Sequence, residues 1–171
     1  AQAEKIRRLE KGISDDTCAP FSMGYFVGER NTPNKLMTAS FKDTPAKNVI
    51  REINESAEEA EKYRILSECP FCKQPTVRVK GDEKRIRLLH VCENPKCDAG
   101  ELPVYVSDVE IYRYLPSFIV TTPDKMATVG MQKQFKTIFG AVKRMCPLHG
   151  YTSTQSCIEK YFCQEKLIEL D

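Results

Sequence analysis

The chain has 171 residues, 41% of them apolar and none of them tryptophan, which suits one ordinary domain or two small ones. A formal net charge of +2 excludes a strongly basic protein, and no apolar run is long enough for a transmembrane helix. The sequence has 8 cysteines and opens without a signal-peptide pattern, so we expect a cytoplasmic protein whose clustered thiols bind metal rather than form disulfides.

The N-terminal part is predicted to contain a helix over residues 1–11 and a buried strand over residues 22–28. The apolar stripe of this helix consists of Ala3, Ile6 and Leu9. Gly12 can end the helix, and the strand ends at Gly28. Cys18 has no partner nearby in sequence, and we expect a buried thiol. Because the chain lacks an initiating Met and opens inside a helix, we also expect a segment of a longer protein.

One long amphipathic helix is predicted from Thr44 toward Leu66. Thr44 offers a capping hydroxyl, and Pro45 suits the first helical position. The apolar stripe of this helix consists of Ala46, Val49, Ile50, Ile53, Ala57 and Ala60. The opposite face is rich in glutamate, which is typical of a solvated surface. It is also the face that a free-standing zinc module would use to dock another protein.

Two cysteine pairs follow this helix and flank a predicted β-hairpin. The four cysteines are Cys69, Cys72, Cys92 and Cys97. Residues 76–80 and 85–91 are predicted as the two strands, with a turn at Gly81 and Asp82. Two thiol pairs on a hairpin indicate a zinc ribbon, since soft sulfur ligands favour Zn²⁺. The alternatives are two disulfides or four unrelated buried thiols.

The hairpin strands alternate apolar and basic residues. The basic positions are Arg78, Lys80, Arg85 and Arg87. Such a face suits a phosphate backbone, although a plain solvated strand face explains the charges equally well. His90 lies two residues before Cys92 and could replace a thiolate, but we expect an ordinary strand histidine.

The next stretch is predicted to alternate strands and helices. Residues 102–106 are predicted as a strand, and Ser107 with Glu110 forms a capping-box pattern that opens a short helix. A second strand covers residues 118–120 and stops at Thr121 and Thr122. A helix from Pro123 through Met126 follows. Such a strand-to-helix turn can bind phosphate through free backbone N–H groups, or can be an ordinary capped turn.

A second metal site is predicted near the C-terminus. Its ligands are Cys146, His149, Cys157 and Cys163. Cys146 and His149 have knuckle spacing, and three thiolates with one imidazole complete a tetrahedral set. Alternatively, His149 lies at the surface and residues 158–162 form a helix that separates the last two cysteines. We expect two Zn²⁺ ions with structural roles, because a closed four-ligand site leaves no position for an activated water.

Several segments together resemble superfamily 2 helicases. VTTPDKM resembles motif Ib, AQAEKIRRLE resembles the helix after motif Ia, and YFVGE resembles the next strand. More narrowly, EIYRYLPSFIVTTPDKMATV, then FG, then CPLHGY is similar to the large bacterial phage-defence helicases of DISARM systems, which carry cysteine-rich insertions in the first RecA-like domain.

This resemblance implies a mixed α/β fold built on an incomplete RecA-like domain. Residues 1–43 form one partial RecA-like segment, and residues 104–140 form another, which contains the motif Ib-like turn. Residues 44–103 form an insertion with the long helix and the zinc ribbon, and residues 141–171 form the second zinc module. No G-x-x-x-x-G-K-[ST] or Asp-Glu box is present, so we expect no ATP hydrolysis by this chain. ATP and Mg²⁺ would belong to the parent protein.

The resemblance also implies contacts with the sugar-phosphate backbone of a single strand, with DNA the expected partner. The backbone-facing residues are then Gly28, Thr121, Thr122 and Lys125, and the basic hairpin residues form an accessory surface. The rest of the parent helicase is a further expected partner. Two other hypotheses are the zinc docking module and a thiol-disulfide enzyme built on Cys69 and Cys72. The enzyme needs a thiolate at a helix N-terminus, whereas this pair follows a helix.

Overall fold

The structure is a computed structural model that describes residues 2–9, 19–28, 32–130 and 133–170. The predictions for Gly12 and Cys18 lie outside these residues. The helices are α1 (Gln2–Leu9), α2 (Val49–Glu55), α3 (Ala57–Lys62), α4 (Asp108–Tyr114) and α5 (Pro123–Val129), and a 3-10 helix covers Lys133–Phe139. The strands are β1 (Met23–Phe26), β2 (Met37–Thr38), β3 (Lys47–Asn48), β4 (Val77–Asp82), β5 (Arg87–Cys92), β6 (Glu101–Leu102), β7 (Val104–Tyr105), β8 (Phe118–Thr121), β9 (Arg144–Cys146), β10 (Gly150–Thr152) and β11 (Ile168–Glu169).

These elements form several small sheets, which confirms the mixed α/β fold class. A parallel sheet has the order β7-β1-β8, and an antiparallel sheet has the order β4-β5-β6. A second antiparallel sheet has the order β10-β9-β11, and β2 pairs with β3. Within the described part of the chain, no helix combines the length and apolarity needed to cross a membrane.

The parallel sheet is covered on one side by α4, which packs closely against β1. A Cβ atom on Gly24 would lie 2.7 Å from Pro116 Cγ and 3.0 Å from Ile111 Cγ1, so only glycine permits this approach. In the register of β1 and β8, Phe26 lies opposite Thr121. Parallel strands end at the same edge of a sheet. Gly28 comes two residues after the end of β1, and the Thr121–Thr122 turn comes at the end of the neighbouring strand β8.

The helix predicted from Thr44 is instead two short helices that begin later. Asn48 caps α2, where its side chain accepts a 3.0 Å hydrogen bond from the Arg51 N–H. Ser56 then adopts an extended backbone and caps α3 by accepting from the Glu59 N–H at 3.3 Å. These local hydrogen bonds favour new helix starts over a continuous helix.

The hairpin turn also differs from the prediction. Gly81 and Asp82 belong to β4, and the turn covers residues 83–86. Gly81 serves close packing, because a Cβ atom there would lie 2.5 Å from Ile50 Cγ2 and 2.7 Å from the Ile50 carbonyl oxygen. The larger core forms here, as the buried residues Val49, Ile50 and Ile53 of α2 join Val77, Val79 and Leu88 of the hairpin.

Three further predictions are corrected. The strand over residues 102–106 is divided at Pro103, so that β6 pairs with the hairpin and β7 with the parallel sheet. Residues 158–162 form turns rather than a helix. The apolar stripe of α1 faces solvent, with Ile6 55% and Leu9 80% exposed, while the buried carboxylate of Glu4 accepts from the Phe21 N–H at 3.0 Å.

Candidate metal centres and nucleic-acid-facing residues

The first cysteine group brings four thiols together at one end of the hairpin. Its members are Cys69, Cys72, Cys92 and Cys97, whose sulfur atoms lie within 4.8 Å of one another. The Cys69–Cys97 and Cys72–Cys92 sulfur distances are both 3.8 Å. Sulfur atoms bound tetrahedrally to zinc at about 2.3 Å would lie about 3.8 Å apart. A disulfide requires about 2.05 Å, so these distances fit a shared ion rather than crosslinks.

Tight local turns hold this first group. The Lys73 N–H donates to the Cys69 carbonyl at 2.9 Å, with Lys73 in the left-handed region at φ 62°. The Cys97 N–H donates to the Asn94 carbonyl at 2.9 Å. The first turn encloses Cys69 and Cys72, and the second lies between Cys92 and Cys97. The pairing of β4 with β5 places Cys92 near the first pair.

The thiols of the first group differ in acidity. Burial raises the pKa of Cys69, whereas a hydrogen bond from the Asn94 side chain lowers the pKa of Cys72 to about 6. A main-chain hydrogen bond at Ala99 lowers the pKa of Cys97, but burial and the neighbouring thiols outweigh it and raise the value to about 12. A bound divalent cation would deprotonate such thiols and remove their mutual repulsion.

The second group joins the C-terminal sheet to the turns that follow it. Its members are Cys146, His149, Cys157 and Cys163, whose ligand atoms also lie within 4.8 Å of one another. His149 Nδ1 lies 3.6 Å from Cys146 Sγ and 3.5 Å from Cys157 Sγ, and Cys146 Sγ lies 3.6 Å from Cys163 Sγ. His149 is 2% exposed, which excludes the surface alternative.

Burial sets the protonation of this second group. It raises the pKa of Cys157 and of Cys163. Burial, with the nearby Arg113 charge, lowers the pKa of His149 to about 4. The imidazole is therefore neutral at pH 7, which is the form that binds a metal ion. Both groups thus have donor atoms, spacing and burial compatible with two metal ions.

Arg113 was not among the predicted site residues, yet it is fully buried beside the second group. Its guanidinium donates to the His149 carbonyl at 2.7 Å, the Ile86 carbonyl at 3.1 Å and Glu159 Oε1 at 3.1 Å. A basic residue inside the apolar EIYRYL segment was the available signal. Arg113 links α4, the hairpin turn and the second metal group.

His90 lies in the core rather than in either group. It is fully buried, and its Nε2 accepts a 3.3 Å hydrogen bond from the Ile65 N–H. Burial lowers its pKa to about 4, so the ring is neutral. This placement agrees with an ordinary strand histidine.

The residues expected to face a nucleic-acid backbone lie at one edge of the parallel sheet. Gly28 is exposed, and Thr121 and Thr122 are partly exposed. The Thr122 hydroxyl accepts from the Lys125 N–H at 3.4 Å. The Lys125 ammonium donates to Asp108 at 2.6 Å, and this side chain is only 11% exposed, so its charge is largely neutralised within the protein.

The basic hairpin residues separate into two environments. Arg78, Lys80 and Arg85 have side chains that are 53–60% exposed. Arg87 is buried, lies over the rings of Tyr105 and Tyr114, and pairs with Glu101 at 2.9 Å. Its role is therefore structural packing, and the accessible basic surface consists of the other three residues.

The acidic face of α2 and α3 is partly neutralised on the same helices. Glu55 pairs with Arg51 at 2.7 Å, Glu59 pairs with Lys62 at 2.5 Å, and Glu61 pairs with Arg64. Exposed pairs of this kind stabilise a helix only slightly.

No family model matches the chain. Over 150 residues, the chain is 32% identical to DISARM protein DrmA of Bacillus paralicheniformis. The chain is related to a DISARM protein. The match covers 82% of this chain but only 13% of the length of that protein. The relationship therefore extends across most of the folded elements described above and concerns a small part of a much larger protein.

Proposed function

We propose that this chain is a zinc-stabilised segment of a larger DISARM-type helicase of phage defence, and that it forms part of the wall that contacts single-stranded nucleic acid. The observation that carries the proposal is the common edge of β1 and β8, where Phe26 lies opposite Thr121 and the two strands end together. Ligands of open parallel sheets bind outside the carboxyl ends of the strands. The relationship to a DISARM protein supports the phage-defence part of the proposal.

Contacts at this edge would be uncharged. Because Lys125 is paired with Asp108, the groups that would meet a phosphate are threonine hydroxyls and backbone N–H groups. The Thr121 hydroxyl, which donates to the Thr122 carbonyl at 3.3 Å, would have to exchange this acceptor for the phosphate. These groups bind the sugar-phosphate backbone without reading base sequence. Positive charge would come from Arg78, Lys80 and Arg85 of the hairpin, of which the first two share Glu93 as a partner.

The metal ions would act structurally. Each group supplies four protein donors, which closes a tetrahedral zinc site and leaves no open position for substrate. Zinc would contribute folding energy by crosslinking short turns that bury little apolar surface. The chain itself would not hydrolyse ATP, and unwinding would require the parent protein.

Fluorescence anisotropy with a labelled oligothymidylate tests this function. We expect the 171-residue chain to bind with an affinity that falls steeply as salt rises, because phosphate contacts release counterions. Thr121→Val should weaken binding by removing a hydroxyl while keeping the side-chain shape. Thr154→Val, which changes an exposed threonine in the turn after β10, is the matched control. Absence of binding at low salt, or salt-independent binding, would contradict the proposal.

A further inference from the structure

A groove of about 570 Å³ lies between the segment before β3 and the turns around the second metal group. The residues that matter for its chemistry are Asn34, Lys35, Phe41, Lys160, Tyr161 and Phe162. We call it the aromatic groove. Asp108 and Tyr112 of α4 also line it.

Three aromatic rings of this groove are open to solvent. Phe41 is 71% exposed, Tyr161 is 74% exposed and Phe162 is 41% exposed. Single exposed apolar side chains are ordinary on protein surfaces, but rings gathered along one concave surface mark a binding site. Lys42 Nζ lies 5.6 Å from the Phe41 ring centroid. The exposed part of each ring offers a platform on which planar groups can stack.

The accessible charge of the groove is positive. Lys35 and Lys160 line it and are exposed, and Lys160 Nζ lies 5.2 Å from the Tyr161 ring centroid. Both acids of the lining are buried and paired with internal cations, Asp108 with Lys125 at 2.6 Å and Glu159 with Arg113 at 3.1 Å. Exposed Lys42 and Asp43 follow Phe41 in the chain and lie outside the lining. Exposed rings beside exposed lysines suit a ligand that has flat faces and negative charge.

The groove adjoins the sheet edge of the proposed function. Lys125 donates to Asp108 at 2.6 Å and to Asn34 at 3.3 Å, and both acceptors line the groove. The helix that carries Lys125 begins directly after Thr122. A strand whose backbone contacts this turn could therefore continue into the groove.

The candidate metal ligands fix one side of the groove. Tyr161 and Phe162 lie between Cys157 and Cys163, whose side chains belong to the second group. A metal ion at that group would restrain the loop and hold the rings in place. Such preorganisation lowers the entropic cost of stacking a flexible strand.

From these observations we infer that the aromatic groove binds the bases of single-stranded nucleic acid, with Phe41 and Tyr161 as stacking platforms and Lys35 and Lys160 as phosphate contacts. This inference rests on the proposed function and adds a second surface to it. Base stacking on aromatic side chains tolerates any sequence, because every base has a flat face. A duplex hides these faces and would not use the groove.

The test compares oligothymidylate binding by the zinc-loaded 171-residue chain and by two variants. Phe41→Ala with Tyr161→Ala removes two exposed rings, and Phe118→Ala removes a 62% exposed ring outside the groove. Each lost stacking contact should weaken single-strand binding about fivefold or more. The control should bind like the parent chain, and duplex binding should be the same for all three proteins. Thermal unfolding verifies that the variants are folded.

Photocrosslinking supplies an independent readout. An oligonucleotide that contains 5-iododeoxyuridine should crosslink to a peptide that includes Phe41 or Tyr161, as identified by mass spectrometry. If the parent chain binds the single strand but the double variant binds equally well, the groove inference is wrong while the proposed function stands. If the parent chain binds no single strand at low salt, the proposed function and the groove inference both fail.

Discussion

The Nε of Arg113 donates a 2.7 Å hydrogen bond to the main-chain carbonyl of His149, so a helix of the parallel-sheet body holds a candidate metal ligand in place. Every N–H group of this guanidinium has a partner. The acceptors are His149 O, Ile86 O, Glu159 Oε1, Arg85 O and Tyr114 Oη. A fully buried cation is tolerated only when its donors are satisfied in this way.

Arg113→Met should therefore lower the free energy of unfolding by about 3–5 kcal/mol, because Glu159 and three carbonyl groups lose their donor. The loss should exceed that of Arg51→Met, which breaks a solvent-exposed pair with Glu55 and should change stability little. Denaturant unfolding followed by circular dichroism measures both. Equal small losses would show that Arg113 does not hold the three units together.

Metal content should be two zinc ions per chain, one for each group of four donors. Elemental analysis of the purified chain measures this number. Cys69→Ser and Cys157→Ser should each remove one ion, and a strong chelator should lower the unfolding temperature of the parent chain, because zinc binding contributes to folding. If the parent chain contains one ion and Cys157→Ser still contains it, the second group does not bind a metal ion.

Acidification should release the metal ions, because protons compete with Zn²⁺ for thiolates and imidazole. A chromophoric zinc indicator would follow the release. Metal that stays bound in strong acid would contradict thiolate and imidazole ligation.

Gly81→Ala should destabilise the hairpin, because the added Cβ atom would lie 2.5 Å from Ile50 Cγ2 and 2.7 Å from the Ile50 carbonyl oxygen. Overpacking of this kind costs about 1–3 kcal/mol. Gly130→Ala is the matched control, since nothing lies within 4 Å of its added Cβ atom. Thermal unfolding of both variants should show a loss only at Gly81, and an unchanged Gly81→Ala would mean that α2 can shift away from β4.

Glu110→Gln should weaken the start of α4. The buried carboxylate accepts from the Leu88 N–H at 2.9 Å, the Ser107 N–H at 3.2 Å and the Ser107 hydroxyl at 2.8 Å. An amide nitrogen cannot accept, so at least one bond is lost at a cost of about 1–3 kcal/mol. Glu59→Gln is the control, because Glu59 is paired with Lys62 on the surface instead.

The difference in unfolding free energy between the parent chain and Glu110→Gln should depend on pH. Burial raises the pKa of Glu110 above its ordinary value of 4.5, so the folded protein binds this proton more tightly than the unfolded chain does. The stabilisation is present below pH 4.5 and is lost as the pH rises through the folded value. The advantage of the parent chain over Glu110→Gln should therefore shrink as the pH rises. Metal binding is common to both chains and cancels in the difference, and a growing advantage would contradict this assignment.

Local chemistry could be read from the sequence because it acts over a few residues. The spacing of the cysteines indicated both thiol groups, and Ser107 with Glu110 indicated the capping box that starts α4. Ser56 caps α3 at the same spacing from Glu59, but the prediction of one long helix rested on the apolar stripe alone and did not include this signal.

The amino-acid sequence by itself determined the members of the two candidate metal groups and the start of α4, since capping and ligand spacing are short-range properties. Only the tertiary structure decided that Gly81 packs against Ile50, that Pro103 divides one segment between two sheets, and that Arg113 joins three units. These features depend on close packing and on the burial of charge between residues distant in sequence, and such energies exist only once the elements are assembled.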